Sequence, residues 1–396
     1  MPRKTSAEIL KELFFLIVLA ILPVILLFNN YSHRNGFLDL PMFGDEFKAS
    51  RLKEINDINP PTKERFGYDG QFYAQMALDP LLIHDETIRA LDNMIYRTRR
   101  VGLPFMAFLL GIGKPLWVLH IYTLLNFVFW IILLLIVYHY LGFRYSRDFL
   151  LAVSVLWSSG TLASLSRALT DLPAVTLSIL AVFLIAKRNI SASLLSSAAL
   201  CKETAALSFF LLAWPEKKSN LKPRQFFLSC LIMILPFSAW LLYVHLRIKD
   251  GVIFGNNNFA PPFWGLISKI TTENLQLFKE FSFTRYNNVL YELICPLSLV
   301  AQSFYLISKP KAHSPYWRLG VGFAILPYLL GSAVWVDQLT YSRVLLPLTI
   351  CFNFLIHKHE RNLSYAFWYF IGNIGMSWVC INTIVCALTT NFVAKT

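Results

Sequence analysis

The residues best suited to chemistry lie in a short motif at 67–73, which reads Gly-Tyr-Asp-Gly-Gln-Phe-Tyr. Asp69 stands between two glycines at the start of a predicted short helix over 71–78, which an Asp-Pro pair closes. Two interpretations are open. Asp69 is a helix N-cap, with Gly70 easing the turn, or it is a general base that takes the proton of a hydroxyl group. A carboxylate that caps a helix can still accept a proton, so the two roles are compatible.

Basic residues supply a second component of such a site. Arg97, Arg99 and Arg100 come directly before an apolar segment. The planar guanidinium group suits two-point contact with phosphate oxygens, so these residues are candidates for holding a phosphate group. The alternative is that they flank a membrane and contact anionic headgroups.

Further ionisable residues lie within apolar segments or at their ends. They are, in chain order, Arg167, Asp171, Lys202, Glu203 and Arg343. Each ionisable group at membrane depth costs about 2.5–3.5 kcal/mol on insertion scales. Structural ion pairing could account for each of them, but their predicted convergence on one face favours a site. Asp171 is the second candidate carboxylate, either for catalysis or for orienting a substrate.

The composition indicates the surroundings in which these residues work. Apolar residues make up 56% of the 396 residues and charged residues 15%, against roughly 45–50% and about 25% in soluble domains. A water-soluble globule cannot bury this much apolar surface, so a cytosolic enzyme is excluded. The formal net charge of +13 indicates membrane topology, because neither zinc-finger spacing nor an RNP-like motif suggests nucleic-acid binding.

Apolar residues recur in about nine segments long enough to cross a hydrocarbon layer. The segments are 13–28, 116–141, 149–165, 172–186, 226–246, 289–307, 319–336, 344–356 and 365–388. Lys and Arg concentrate in the connections at 144–147, 187–188, 217–224, 309–311 and 358–361. The positive-inside rule places these connections and the N-terminus in the cytoplasm.

Residues 189–216 have basic connections on both sides, so both ends are expected on the same face. Polar residues at 201–204 leave two arms of about ten apolar residues, and each arm rises only about 15 Å. We therefore predict a re-entrant hairpin with Lys202 and Glu203 at its tip, lining a cavity. The alternative is a single ordinary span with one connection that breaks the charge rule.

This topology leaves two large loops outside the membrane, at 29–115 and 247–288. In the first, Asp85 is suited to cap a helix over 85–97 whose apolar residues have helical spacing. In the second, residues 263–281 carry apolar side chains near one face, which is typical of a helix in the membrane interface. A catalytic site is therefore expected on the outer face. The arginines at 97–100 lie in an outer loop, against the positive-inside rule, and this exception favours a specific role for them.

The predicted fold is an all-α integral membrane protein, a multi-span helical bundle with a re-entrant hairpin and structured outer loops. The chain is treated as one polytopic domain over 1–396. No GxGxxG, P-loop or HExxH motif occurs in the sequence, so nucleotide donors and zinc chemistry lack support.

At several points the sequence resembles the GT-C membrane glycosyltransferases. The motif at 67–73, followed by Ala-Leu-Asp-Pro at 77–80, is similar to the first-loop motif of a bacterial family linked to cell-surface glycopolymer formation. It is more distantly similar to the Trp-Asp-Gly or Trp-Asp-Ala motif of glycosylphosphatidylinositol mannosyltransferases, where this chain has Tyr68. Further matching features, spread over most of the chain, are Arg99-Arg100 before Pro104, Ser166-Arg167 before Asp171-Leu172-Pro173, Lys202-Glu203-Thr204, and Tyr341-Ser342-Arg343 before Pro347.

The resemblance implies a GT-C-like bundle and inverting transfer of a sugar from a polyprenyl-phosphate donor, with Asp69 as the base. Asp171 is the second catalytic candidate. The candidates for holding the donor phosphate are Arg97, Arg99, Arg100, Arg167, Lys202 and Arg343. The candidates for positioning the substrate are Tyr68, Gln71, Tyr73 and Glu203. No cofactor is required and no metal ligands are assigned, although a divalent ion could share the phosphate charge.

The sequence thus predicts an enzyme of a bacterial inner membrane, with its site facing outward, that acts in cell-envelope glycan assembly. Its expected partners are a polyprenyl-phosphate sugar, a glycan or lipid-linked acceptor and membrane lipids, but not nucleic acid. A transporter or flippase of lipid-linked sugars is an alternative, although the two halves of the chain lack the similarity expected of one. A non-catalytic assembly subunit of the same fold is the third interpretation.

Overall fold

The structure is a computed structural model that describes residues 5–143, 145–213, 223–248, 258–277 and 283–375. Most of these residues are helical, and only two short strands occur among them. Up to residue 141 the elements are α1 (Ser6–Asn29), β1 (Phe43–Gly44), α2 (Lys53–Ile58), β2 (Thr62–Glu64), α3 (Gly70–Met76), α4 (Asp85–Arg89), α5 (Met94–Thr98), α6 (Gly102–Leu110) and α7 (Pro115–Leu141).

The later elements are also helices. They are α8 (Ser146–Leu156), α9 (Ser159–Ser166), α10 (Asp171–Phe183), α11 (Arg188–Cys201), α12 (Phe210–Ala213), α13 (Pro223–Arg247), α14 (Trp264–Leu277), α15 (Phe283–Ser308), α16 (Pro315–Ile325), α17 (Ser332–Trp335), α18 (Gln338–Val344), α19 (Leu346–His359) and α20 (362–375). Short 3₁₀ helices cover Asp45–Ser50, Glu203–Phe209 and Leu326–Tyr328.

Three described helices are long and apolar enough to cross a membrane: Glu8–Asn29 within α1, α7 and α13. Two bent pairs, α8 with α9 at 46° and α18 with α19 at 61°, raise the number to five if each pair is one span. Several large apolar side chains of α13 are more than 40% exposed: Phe227, Leu231, Leu235, Leu242 and Leu246. Such a face is suited to lipid rather than water, as expected of a multi-pass membrane protein.

Within the described residues, two of the predicted spans are not single straight helices, and the end of a third, 365–388, lies outside the described part of the chain. The segment 149–165 bends after Leu156, where the hydroxyl groups of Ser158 and Thr161 both donate to the carbonyl oxygen of Val155 at 3.3 and 3.0 Å. These side chains compete with the helical backbone for that carbonyl group. The segment 319–336 divides into α16, a 3₁₀ turn and α17. Pro327 lies in that turn, and because proline has no backbone N–H it cannot donate the hydrogen bond that would continue the helix.

The packing of the chain forms two compact units. The unit that carries the motif, here called the motif unit, consists of Pro23–Leu133 and Ala163–Gly255. The other, called the C-terminal unit, consists of Met1–Leu22, Leu134–Leu162 and Asn256–Thr396.

In the motif unit, the segment between α1 and α7 is folded onto α13. Leu82 and Ile88 form a buried apolar cluster with Val244 and Ile248. The indole Nε1 of Trp240 donates to the Thr98 carbonyl oxygen at 2.8 Å. The two short strands in this segment pair in parallel, β1 with β2.

The predicted helix over 85–97 is instead two short helices, α4 and α5. The Asn93 side chain caps α5 by accepting from the Tyr96 backbone N–H at 3.0 Å, and Asp92 accepts from the Asn93 N–H at 2.7 Å. Such local bonds from Asp and Asn side chains compete with a continuous helix. Asp85 lies in the first turn of α4, one residue after the N-cap His84.

The break predicted at 201–204 is present. Helix α11 ends at Cys201, and Lys202 adopts an extended conformation with φ −154° and ψ 122°. The guanidinium of Arg188, at the start of α11, donates to the carbonyl oxygen of Leu212 in α12. The beginning and the end of this segment therefore lie side by side. Residues 214–216 of the predicted hairpin lie outside the described part of the chain.

In the C-terminal unit, aromatic side chains join several helices, and the Tyr316 and Phe354 rings of α16 and α19 stack at 4.5 Å. The helix predicted over 263–281 begins as α14, and its end lies outside the described residues. Gly265 lets α14 lie directly against the backbone at Leu330, because a Cβ atom on Gly265 would lie 2.1 Å from the Leu330 carbonyl oxygen.

Candidate active site

Helix α3 begins the candidate site and is buried along its whole length. Glycines set its position. A Cβ atom on Gly70 would lie 2.2 Å from the carbonyl oxygen of Arg167, and one on Gly67, whose φ is +62°, would lie 2.3 Å from that of Met42. The motif at 67–73 is glycine-containing because other segments of backbone pass directly against it.

Gln71 secures the same turn from the inside. Its Oε1 accepts from the Gly44 backbone N–H at 3.0 Å, and its Nε2 donates to the Phe66 carbonyl oxygen at 2.8 Å. The side chain is fully buried. The sequence predicts a substrate-positioning role for Gln71, whereas its contacts in the structure position the backbone of the motif.

Asp69 occupies the N-cap position of α3, but its side chain makes no capping hydrogen bond. Its Oδ1 instead accepts from Nη2 of Arg97 at 2.9 Å. The Asp69 side chain is 25% exposed and that of Arg97 is 7% exposed. The carboxylate is therefore the accessible member of a largely buried ion pair.

Arg97 also pairs with a second acid. Its Nε and Nη2 donate to the two carboxylate oxygens of Asp92, both at 2.8 Å. Burial lowers the pKa of Arg97, but the charges of Asp69 and Asp92 and the Tyr73 phenol outweigh it, so the pKa lies well above its usual value. The guanidinium is a permanent charge that fixes the direction of the Asp69 carboxylate.

Tyr73 links Arg97 to a second arginine. Its buried phenol oxygen accepts from Nη1 of Arg100 at 2.7 Å and, more weakly, from Nη1 of Arg97 at 3.4 Å. Burial raises the pKa of Tyr73 to about 12, against the opposing effect of the two arginines. The phenol therefore keeps its proton at neutral pH. Because Tyr73 is 1% exposed, it acts on the arginines and not directly on solvent.

Arg100 and Glu203 form a two-point ion pair, in which Nε contacts Oε2 and Nη2 contacts Oε1, both at 2.7 Å. The next ion pair begins one residue earlier, between Lys202 and Asp171. The side chains of Lys202 and Asp171 are only 6% and 3% exposed. The break after α11 thus directs two consecutive charged residues to two different buried partners.

These contacts form one group, which we call the charge cluster. It consists of Asp69, Tyr73, Asp92, Arg97, Arg100, Asp171, Lys202 and Glu203. The charges of Asp69 and Asp171 both act on buried Tyr122, and that of Lys202 acts on Glu203. The ion pairs of the charge cluster therefore lie within electrostatic range of one another. Its three cations face four carboxylates, so each buried positive charge is matched.

The remaining predicted site residues lie in different surroundings. Arg99 is half-buried, and within the described ranges its side chain makes neither an ion pair nor a hydrogen bond. Arg167 lies 4.9 Å from the centre of the Tyr68 ring and donates to the Ser166 hydroxyl at 3.0 Å. Arg343 belongs to the C-terminal unit, where its Nε donates to a backbone carbonyl group of α18 at 3.0 Å.

Three members or neighbours of the charge cluster were not singled out by sequence reasoning. Asp92 shares a short segment with Arg97, and this acid–arginine spacing was an available signal. Tyr96 accepts from Nη2 of Arg100 at 2.5 Å, and Tyr122 donates to the Ala168 carbonyl oxygen at 2.6 Å. Tyr122 gives no comparable signal, since aromatic residues are common within apolar segments.

The charge cluster can hold a partly exposed carboxylate in a fixed direction among buried permanent charges, an arrangement suited to proton transfer from a bound hydroxyl group. Among the described residues, no group of three or more His, Cys, Asp or Glu side chains is placed to hold a metal ion. Participation of a divalent ion stays a prediction.

Comparison of the sequence with models of protein families and with curated proteins finds no match.

Proposed function

We propose that the protein is an inverting glycosyltransferase that moves a sugar from a polyprenyl-phosphate donor to an acceptor hydroxyl group. The observation that carries the proposal is the Asp69–Arg97 pair: an accessible carboxylate held by a buried guanidinium at the edge of a charge cluster. A general base needs this combination, because it must reach the substrate and still keep one orientation.

In the proposed reaction, the acceptor oxygen attacks the anomeric carbon from the side opposite the phosphate group. The bond between this carbon and the phosphate oxygen breaks, and the polyprenyl phosphate leaves with the electron pair. The carboxylate of Asp69 takes the acceptor proton as the new glycosidic bond forms. Asp171 is proposed to act on Lys202, with which it is paired, rather than on the substrate.

The pairing of charges in the cluster determines which residues are free to bind the donor phosphate. Arg97, Arg100 and Lys202 are each paired with a carboxylate, so holding a phosphate would require them to share or exchange a partner. Arg99 forms no ion pair within the described residues, and it lies one residue from Arg100. We therefore assign the first phosphate contact to Arg99, with Arg100 as the nearest second cation.

The proposal also includes the finer features that the sequence predicts: a GT-C-like architecture, a re-entrant hairpin over 189–216, a bacterial inner membrane and a site facing outward. The hydrogen bond from Arg188, at the start of α11, to Leu212, in α12, joins the beginning and the end of this segment, which supports the hairpin. The envelope glycan and its lipid-linked intermediates are the proposed products and substrates.

Replacement of Asp69 by asparagine tests the proposal. We expect D69N to reduce glycan formation by about 10²–10⁴-fold, the usual contribution of a general base. The measurement is mass spectrometry of glycan and lipid-linked intermediates in a deletion strain that expresses each variant at equal protein level. D92N is the matched control, because it removes the other carboxylate bound to Arg97 and should retain most of the product. Unchanged product in D69N would remove Asp69 from the mechanism.

One observation favours a second candidate function, that of a non-catalytic assembly subunit. The complete pairing of Arg97, Arg100 and Lys202 is also what a purely structural ion network requires. In that case D69N and D92N would lower the thermal stability of the protein together, and glycan formation would follow protein stability in both variants.

A further inference from the structure

A cavity of about 870 Å³ lies in the C-terminal unit, at the end of α7, the start of α8 and the end of α19. Its volume is in the range of pockets that hold small organic ligands, about 300–1,000 Å³. Tyrosine, histidine and arginine side chains dominate its lining, together with Asp148. We call it the tyrosine-lined cavity. None of its residues belongs to the charge cluster.

Asp148 is the one acid among the described residues that line the tyrosine-lined cavity, and both of its carboxylate oxygens are engaged. Oδ1 of Asp148 lies 2.8 Å from Nε2 of His357, and Oδ2 accepts from the backbone N–H of Tyr145 at 2.8 Å. The Asp148 side chain is 4% exposed. Its charge is therefore directed to the histidine ring and to the start of α8, and not to the open space.

The described lining residues include Arg147 and Arg361, which have no such partner. Nη2 of Arg147 donates to the carbonyl oxygen of His357 at 2.8 Å. Within the described part of the chain, neither Arg147 nor Arg361 forms an ion pair with a carboxylate. Both arginines line the same cavity as His357, and the charges of both act on its ring. The cavity thus carries an excess of positive charge.

We propose that the tyrosine-lined cavity binds the phosphate group of a ligand through Arg147 and Arg361, either as the headgroup of an anionic phospholipid or as a soluble phosphate ester. Guanidinium groups contact phosphate oxygens in pairs. The volume of the cavity exceeds that of a phosphate ion and leaves space for a glycerol-sized group. Tyrosines are enriched where lipid headgroups meet protein.

The sequence adds a reason to expect a lipid source. Arg147 and Arg361 belong to connections that the positive-inside rule places in the cytoplasm. The cytoplasmic leaflet is the anionic one, and basic pockets between spans on that side bind anionic headgroups. This inference does not depend on the proposed glycosyl transfer, because it concerns another unit and other residues.

The test uses the full chain purified in a neutral detergent, with thermal unfolding and native mass spectrometry as readouts. Phosphatidylglycerol should raise Tm by binding the folded state, whereas phosphatidylcholine, which has no net charge, should not. Arg361→Gln should weaken phosphatidylglycerol binding about tenfold, the size expected for one charged hydrogen bond. The Arg361 side chain makes no hydrogen bond or ion pair within the described residues, so the unliganded Tm of this variant should stay close to that of the wild type.

Lys358→Gln is the matched control, because it removes the same charge from an exposed residue nearby that does not line the cavity. It should bind phosphatidylglycerol like the wild type. Glycerol 1-phosphate identifies the source: an equal shift in Tm assigns the cavity to a soluble phosphate ester, and no shift assigns it to a lipid. The proposal is overturned if neither phosphate compound binds, if both phospholipids bind equally, or if R361Q and K358Q behave alike.

Discussion

The charge cluster and the tyrosine-lined cavity both bring arginines and aspartates together, but they match the charges differently. In the cluster, buried Arg97, Arg100 and Lys202 are each held by a carboxylate. In the cavity, Asp148 is engaged by His357 and backbone, while two arginines border open space. Paired buried charges fix positions, and unpaired charges at an open cavity are able to recruit an anion. From the same residue types we therefore propose a positioned base in one unit and a ligand site in the other.

The largest effect is expected from breaking the deepest pair of the charge cluster. Lys202→Met leaves the Asp171 carboxylate buried without its cation, which should lower the free energy of unfolding by about 3–5 kcal/mol. Thermal or denaturant unfolding in detergent measures it. Adding Asp171→Leu to this variant should recover much of the loss, since the double variant buries no charge. A single variant as stable as the wild type would show that the pair is not structural.

A smaller loss is expected at the partly exposed end of the cluster. Glu203→Gln breaks the two-point contact with Arg100, and because the Glu203 side chain is 22% exposed, the cost should be about 2 kcal/mol. Glu46→Gln likewise removes the carboxylate charge from the exposed Glu46–Arg65 pair. This change should lower the free energy of unfolding by less than about 1 kcal/mol. Equal losses in the two variants would contradict the distinction between buried and exposed pairs.

The smallest effect is a pH dependence beside the cavity, where Glu360 is paired although its neighbour Arg361 is not. Burial raises the pKa of Glu360, but hydrogen bonds from Ser364, Lys309 and Tyr305 outweigh it, so the pKa lies below its ordinary value. The folded state therefore favours the charged form. The stabilisation is present above the unfolded pKa of about 4.3 and is lost as pH falls through the folded pKa.

Thermal unfolding of the wild type and of Glu360→Gln between pH 7 and pH 3 tests this dependence. The difference in Tm between the two proteins should be largest at neutral pH and should shrink below about pH 4. A constant difference over this range would show that the Glu360 contacts contribute through packing alone.

Much of the fold could be predicted from the sequence, because it depends on local patterns. The long apolar runs of α1, α7 and α13 and the polar interruption at Lys202 are local, and both appear in the structure. The break inside 149–165 was missed because two hydroxyl groups converge on one carbonyl group, Val155, against the apolar pattern of the segment. The division of 85–97 into two helices was missed for a similar reason, since Asp92 and Asn93 bond to neighbouring backbone.

The sequence by itself determined the class of protein and the residues able to do chemistry, because apolar content and the types of ionisable side chain do not depend on the fold. Only the tertiary structure decided which charges meet. Asp69 with Arg97, and Arg100 with Glu203, are separated by 28 and 103 residues along the chain, and no local pattern specifies such partners. The balance of paired and unpaired charge, which separates the charge cluster from the tyrosine-lined cavity, follows from these long-range contacts.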